Sequence, residues 1–503
     1  MRESIPRREF LETSAVLGLG AGLGVEARAV APESRAAMTV KPEMVKLRPE
    51  IEPIVRWMEE TPRDRILTVA IEKLKAGLSY RELMAGLFLA GVRNVKPQPV
   101  GFKFHAIMVI HSAHLLGQSA AVDERLLPML WALDTFKASQ AADEKEGDWA
   151  LGPVNEAKLP KPWQAKEAFV KAMEAWDAEA ADAAAAALCR SHGAAEVMEA
   201  FWRFAVRDRR DIGHKAIYAA QAWRTLQAIG WQNAEPVLRS LAFGMLDRRG
   251  QPGTNVEGPY VDNLEVAKQF PEHWRTGAED RGASDHVASE LRQASPSAAG
   301  SGLLEYLQGG VSPDAVWDGI LKSANELLLR KPGIIALHAV TSINALHFIF
   351  GAAADETTRR MALLQAASWV AMFRQNVGDA KAFNLDTIEP LDVPKAPGDA
   401  VAEIFKTIGK DRQEAARKTL GYFKNGGTSD AIFAAARRMI FLKGRDSHDY
   451  KFGAAAWEES VLASTPRTRS LLTASMMGHL PSSTEPDTPL MIRSREAVST
   501  VLK

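Results

Sequence analysis

Apolar residues recur every three to four positions along most of the chain beyond residue 60, and this spacing predicts amphipathic helices rather than strands. The pattern predicts helices over 63–74, 80–90, 105–116, 124–136, 165–188, 195–206, 214–229, 236–246, 315–329, 334–350, 357–370, 401–408, 412–423, 431–442 and 454–462. Alternating β-branched runs are missing, and the Ala-rich stretch 180–188 carries the strongest helix propensity available. The fold class expected is all-α, a large helical bundle or irregular helical array. Proline and glycine clusters at 96–101, 152–153, 159–162, 251–253 and 392–398 supply the turns. Two polar stretches, 141–166 and 247–301, read as loops long enough to cover a site. The second marks a sub-boundary inside what otherwise reads as one domain over 38–503. Asp211 is placed to cap the helix that begins at His214.

The first 37 residues read differently. Arg7 and Arg8 precede Phe10 and Leu11, and a short, glycine-rich apolar run follows over 15–24. This stretch resembles a twin-arginine (Tat) export signal, whose h-region is too short and too weak to span a bilayer. The resemblance implies recognition by the Tat translocon and a destination in the periplasm or cell envelope of a bacterium. It also implies a passenger that folds, and often takes up a cofactor, before export. Farther along, the most apolar stretch is 334–354, which contains His338, Asn344 and His347, so no transmembrane helix is expected in the mature chain.

Composition narrows the chemistry. Lysine plus arginine number 62, as do aspartate plus glutamate, so no net field draws the chain to nucleic acid. One cysteine, Cys189, permits neither an internal disulfide nor a cysteine-based zinc site. Glycine-rich nucleotide motifs are missing. The twelve tryptophans fall mostly at core-like helical positions.

Histidines carry the remaining signal. His111 and His114 sit on neighbouring tracks of one apolar helix that begins near His105. His214, Tyr218, Gln221 and Thr225 form a polar stripe on a second helix. His338 shares a face with Thr341, Ser342 and Ala345 on a third, and His347 lies half a turn away. His448 and Lys451 are neighbours at the start of a fourth. A buried imidazole must be hydrogen-bonded or ligated, and small neighbours such as Ala113, Ala219 and Ala345 leave room for a shared cavity. Two readings stay open: ligation of iron, copper or zinc, or acid–base work around an aromatic substrate without metal. The pairs His-Glu-x-x-His and Glu-x-x-His are missing, which disfavours a zincin or a ferritin-like di-iron bundle.

At these same residues the chain resembles the questin oxidase-like family, all-helical proteins associated with Baeyer–Villiger-type oxygen insertion in aromatic polyketide pathways. The similar pieces are Phe104-His105 leading to Leu115-Leu116-Gly117, then Gly213-His214 with its Ala/Tyr-rich helix. Leu337-His338-Ala339-Val340-Thr341-Ser342 and His448-Asp449-Tyr450-Lys451-Phe452 complete the order. The resemblance implies functional positions at His105, His214, His338, His448 and Lys451, and an aromatic or polyketide-like small-molecule substrate.

Together these readings point to an exported oxidoreductase-like protein, monooxygenase-like if catalytic, with an interior histidine cluster. His111, His114, His214 and His338 are the expected metal ligands, and His105, His448, Lys451 and Tyr218 the expected catalytic groups. A non-catalytic helical protein binding a ligand or partner in the cell envelope is the alternative. The geometric test is whether at least three of these imidazoles meet at one point.

Overall fold

Several helices begin where short polar side chains cap them. Ser79, Asp177, Asp355, Asp411, Asp446 and Thr465 each accept a hydrogen bond from a backbone N–H two or three residues on. The computed structural model describes residues 43–247, 258–278, 282–378 and 383–499. The Tat-like segment 1–37 lies outside the described residues. Among the described residues there is no strand, only an isolated bridge between Ala278 and Val311, and the fold is an all-α array.

Nine helices build the histidine site and its supports: α1 (Tyr80–Asn94), α2 (His105–Met108), α3 (Ile110–Gln118), α4 (Leu127–Glu146), α5 (His214–Ile229), α6 (Pro313–Arg330), α7 (Ile334–Ala352), α8 (Glu356–Val377) and α9 (Ser447–Leu462). Helix α7 is the axis of the core, packed by α5, α6, α8 and α9. It is long and apolar enough by composition to cross a membrane, yet 78% of its most apolar 18-residue stretch is buried inside the protein. A helix that is apolar all round needs neighbours all round, and here the neighbours are other helices.

The polar groups of α7 are therefore satisfied from within. Asn344 Nδ2 donates to Glu458 Oε2 at 2.6 Å and to Glu459 Oε1 at 2.8 Å, and His347 Nδ1 meets Glu459 Oε2 at 2.6 Å. Arg224 of α5 pairs with Glu458, and the Trp317 ring of α6 stacks on His347 at 4.4 Å. This buried network ties the far halves of α5, α7 and α9 together. Their first turns meet at the other end.

Several sequence-based boundaries change. The single helix expected over 165–188 is two, Ala165–Glu174 and Ala178–Ser191, because Trp176 turns left-handed at φ +57° and Asp177 caps a new start. The helix expected over 105–116 divides into α2 and α3 at Val109. The expected loop over 247–301 carries helices Gly258–Ala267, Ala283–Leu291 and Pro296–Gln308. Of the 141–166 stretch, α4 claims the first part and two short 3-10 turns, Glu156–Lys158 and Pro162–Gln164, punctuate the rest. Local polarity concealed these short helices, each of which buries only a few side chains against its neighbours.

Close helix packing gives a direct check. A Cβ at Gly421, inside the helix Arg412–Lys424, would stand 1.7 Å from the Leu391 carbonyl oxygen. Gly421→Ala is expected to destabilise the fold by about 1–3 kcal/mol with an unchanged denaturant slope, measured by equilibrium unfolding.

Candidate metal centre

Three of the four helices that meet here bring an imidazole from their first or second residue, and the fourth from its fifth. His105 is the first residue of α2, His214 of α5, and His448 the second of α9, while His338 lies one turn into α7. These positions are separated by more than 300 residues of chain, but their rings touch. The His105–His214, His214–His338 and His105–His448 ring centroids are 4.6, 4.5 and 4.4 Å apart, and His338–His448 5.0 Å. The Nε2 atoms face one another: His214 to His338 at 2.8 Å, His214 to His105 at 3.2 Å, and His105 to His448 at 3.1 Å. One ligand atom from each of His105, His214 and His338 lies within 4.8 Å of the others.

The opposite ring edges explain the orientation. His214 Nδ1 donates to the Asp211 carbonyl at 2.5 Å, and His338 Nδ1 to the Ile334 carbonyl at 2.7 Å. A carbonyl can only accept, so Nδ1 carries the proton in both rings and both Nε2 atoms present lone pairs. His448 Nδ1 lies 3.0 Å from Asp446 Oδ1, a carboxylate–imidazole pair that places its lone pair on Nε2 in the same way. His105 Nδ1 is buried without a partner. Two facing lone pairs at 2.8 Å have no proton between them in the neutral rings, and repel unless a cation sits between.

A metal cation suits that arrangement. Ligand bonds of about 2.1 Å put neighbouring nitrogens about 3.0 Å apart at right angles and about 3.4 Å apart in a tetrahedron, close to the observed contacts. Outer partners on the Nδ1–H groups are the usual support of metal-bound imidazoles. The donor set is all nitrogen, which fits iron, copper, zinc or nickel better than magnesium or calcium.

Electrostatics keep the rings neutral. Burial holds His105, His214 and His338 well below the ordinary imidazole range, and the Lys451 charge and the neighbouring rings push further the same way. Burial also lowers His448, against the opposing pull of Asp446. Lys451 is 2% exposed, its Nζ has no hydrogen-bond partner, and burial pushes its ammonium down to about 7. Its charge bears on all four imidazoles.

Backbone geometry supports the rings closely. Gly101, at φ +133°, lies under His214, where a Cβ would stand 3.1 Å from the ring. Asp211, Ile212 and Gly213 precede His214 in three consecutive left-handed conformations, at φ +61°, +52° and +83°. A β-branched residue such as Ile212 is a true outlier there. The side-chain cap expected from Asp211 does not form: Gly213 holds the N-cap position of α5 without a side-chain bond, and Asp211 acts through its carbonyl.

The structure brings together His214 and His338, expected as ligands, with His105 and His448, expected as catalytic groups. It leaves His111 and His114 outside that group. Six to nine residues beyond His105, the chain has advanced about 9–14 Å at helical rise. There the two rings contact each other at 5.8 Å, and His114 Nδ1 bonds the Tyr80 hydroxyl at 3.1 Å. Tyr218 donates its hydroxyl to Ser240 Oγ at 3.0 Å and packs on Phe104, which is the work of a buried core tyrosine. His347 belongs to the Glu459 network. Two further contributors lie outside the sequence-based set. Asp446 is visible there two residues before His448, whereas His479, whose charge bears on His338 and His448, has no spacing signal at all.

The lowered imidazoles set a pH dependence for the metal-free protein. Their unfolded forms protonate near the ordinary value of about 6.5 while the folded forms resist, so the unfolded state binds more protons as pH falls. Stability is expected to be full above about pH 7 and to drop progressively below about 6.5, read from denaturant midpoints between about pH 8 and pH 4. A flat profile over that range would contradict the neutral, buried cluster. Comparison of the chain with family models, with curated proteins and with solved structures returns no match.

Proposed function

We propose that this chain is an oxidoreductase-like protein that holds a transition metal ion on His105, His214, His338 and His448 and oxidises an aromatic, polyketide-like small molecule with oxygen. Convergence of Nε2 lone pairs, with protons held on the outer edges by carbonyls and a carboxylate, is the observation that carries this reading. The order of the questin oxidase-like segments supports the reaction class, and the Tat-like leader supports export to the cell envelope after folding.

A redox-active ion such as iron or copper, when bound, supplies one-electron chemistry toward dioxygen. The protein's own groups do the rest. Asp211 and Ile334 carbonyls keep His214 and His338 in the ligating tautomer. Asp446 raises the basicity of His448. Lys451 Nζ, poised between amine and ammonium near neutral pH, can give or take a proton inside the cluster. Phe102 and Ile334 are 76% and 50% exposed, each within one helical turn of a ligating histidine in sequence, and offer an apolar rim to an aromatic ring.

Elemental analysis and a visible spectrum of protein purified from its native envelope fraction are expected to show a stoichiometric transition metal. A metal-free preparation that takes none up on addition of Fe(II), Cu(II) or Zn(II) would refute the reading. His214→Ala and His338→Ala are each expected to lose metal retention while far-ultraviolet circular dichroism stays helical.

A further inference from the structure

The turn that delivers His214 is held by one buried acid. Asp208 is 1% exposed, and its carboxylate accepts from the Arg210 backbone N–H at 3.0 Å, from Arg210 Nη2 at 2.6 Å and from Lys215 Nζ at 2.7 Å. Arg210 precedes the left-handed run Asp211-Ile212-Gly213, and Lys215 follows His214 directly. The same carboxylate therefore grips both ends of the segment. Lys215 is fully buried and also donates to the Asp247 carbonyl. Trp176 closes the far side, its ring 4.2 Å from the Arg207 guanidinium and 5.5 Å from Lys215 Nζ.

Inside this grip the Asp211 carbonyl accepts twice from one residue, from the His214 backbone N–H at 3.2 Å and from His214 Nδ1 at 2.5 Å. Both bonds are made from within the left-handed run, so whatever holds the run holds the imidazole's acceptor. Gly213 also seats against α7, where a Cβ would come within 2.4 Å of Ser342 Cβ, so the turn is pressed onto the helix that carries His338. Left-handed non-glycine residues persist only where the surroundings over-determine them, and they gather at functional sites.

We propose that Asp208 is a positioning residue for the metal centre: by clamping Arg210 and Lys215 it holds the strained turn that fixes the tautomer and direction of the His214 imidazole. This role rests on the metal-binding reading of the histidine cluster. Asp208 acts through the turn and touches no ligand atom.

The test is Co(II) titration of the full chain, followed by visible absorption, for the wild type and for Asp208→Asn, Asp208→Glu and Arg210→Gln. Asp208→Asn and Arg210→Gln are expected to bind Co(II) about 10–100-fold more weakly, as losses in the outer shell of a metal site do. Their ligand-field bands are expected to shift, and Asp208→Glu to recover most of the affinity and the wild-type spectrum. A purely structural role would lower the melting temperature and leave the Co(II) spectrum unchanged. If Asp208→Asn does not fold, Arg210→Gln decides, because it leaves the buried Asp208–Lys215 pair in place. A folded Asp208→Asn or Arg210→Gln protein with wild-type affinity and spectrum overturns the positioning role alone. A wild type that takes up no Co(II) overturns the metal reading and this role with it.

Discussion

Four imidazoles meet here, and three of them, His214, His338 and His448, turn unprotonated nitrogens inward, which sets the terms for everything around them. A buried ring resists protonation, and a neutral ring whose Nδ1 already donates has only a lone pair to offer at Nε2. Bringing His214 and His338 to 2.8 Å in that state is repulsive unless positive charge lies between them. The remaining architecture supplies what this repulsion requires: rigid first turns, acceptors on the outer ring edges, and helices that cannot slide apart.

Rigidity comes from both ends of the same helices. At one end the rings meet; about ten residues along α5 and α9, and six to nine along α7, the Arg224–Glu458–Asn344–Glu459–His347 network ties the three helices together. Between these points α7 is buried on every side, so its rotation and height are set by packing rather than by solvent-facing slack. Backbone strain is then tolerable. The left-handed turn before His214 is a local cost that the packed surroundings absorb, and the Asp211 carbonyl within it accepts the His214 Nδ1 proton.

Legibility of the site follows the same division. His105, His214, His338, His448 and Lys451 are readable because polar residues on apolar helices stand out against their neighbours and each sits near a helix start. His111 and His114 give an equally strong pattern, yet they lie about two turns farther along, where His114 bonds Tyr80 and the two rings contact each other. Periodicity places His111 and His114 on a face other than that of His105, but it does not say which face, or which turn, meets the other three helices. Tyr218 shares the His214 stripe and still spends its hydroxyl on Ser240. The break inside 165–188 escapes the pattern for a similar reason: its alanines favour helix throughout, and only the contacts of Trp176 with Arg207 and Lys215 show why the chain turns there.

What the sequence by itself determined is the helical class, most helix starts and the residue types able to form a metal centre. Those properties follow from caps, propensities and a 3.6-residue period that act within a few residues. Tertiary structure decided which histidines meet, which nitrogen of His214, His338 and His448 carries the proton, and that two left-handed residues and a glycine precede His214. Such choices depend on contacts between segments more than a hundred residues apart, where the position of one carbonyl or one helix along its axis outweighs any local preference.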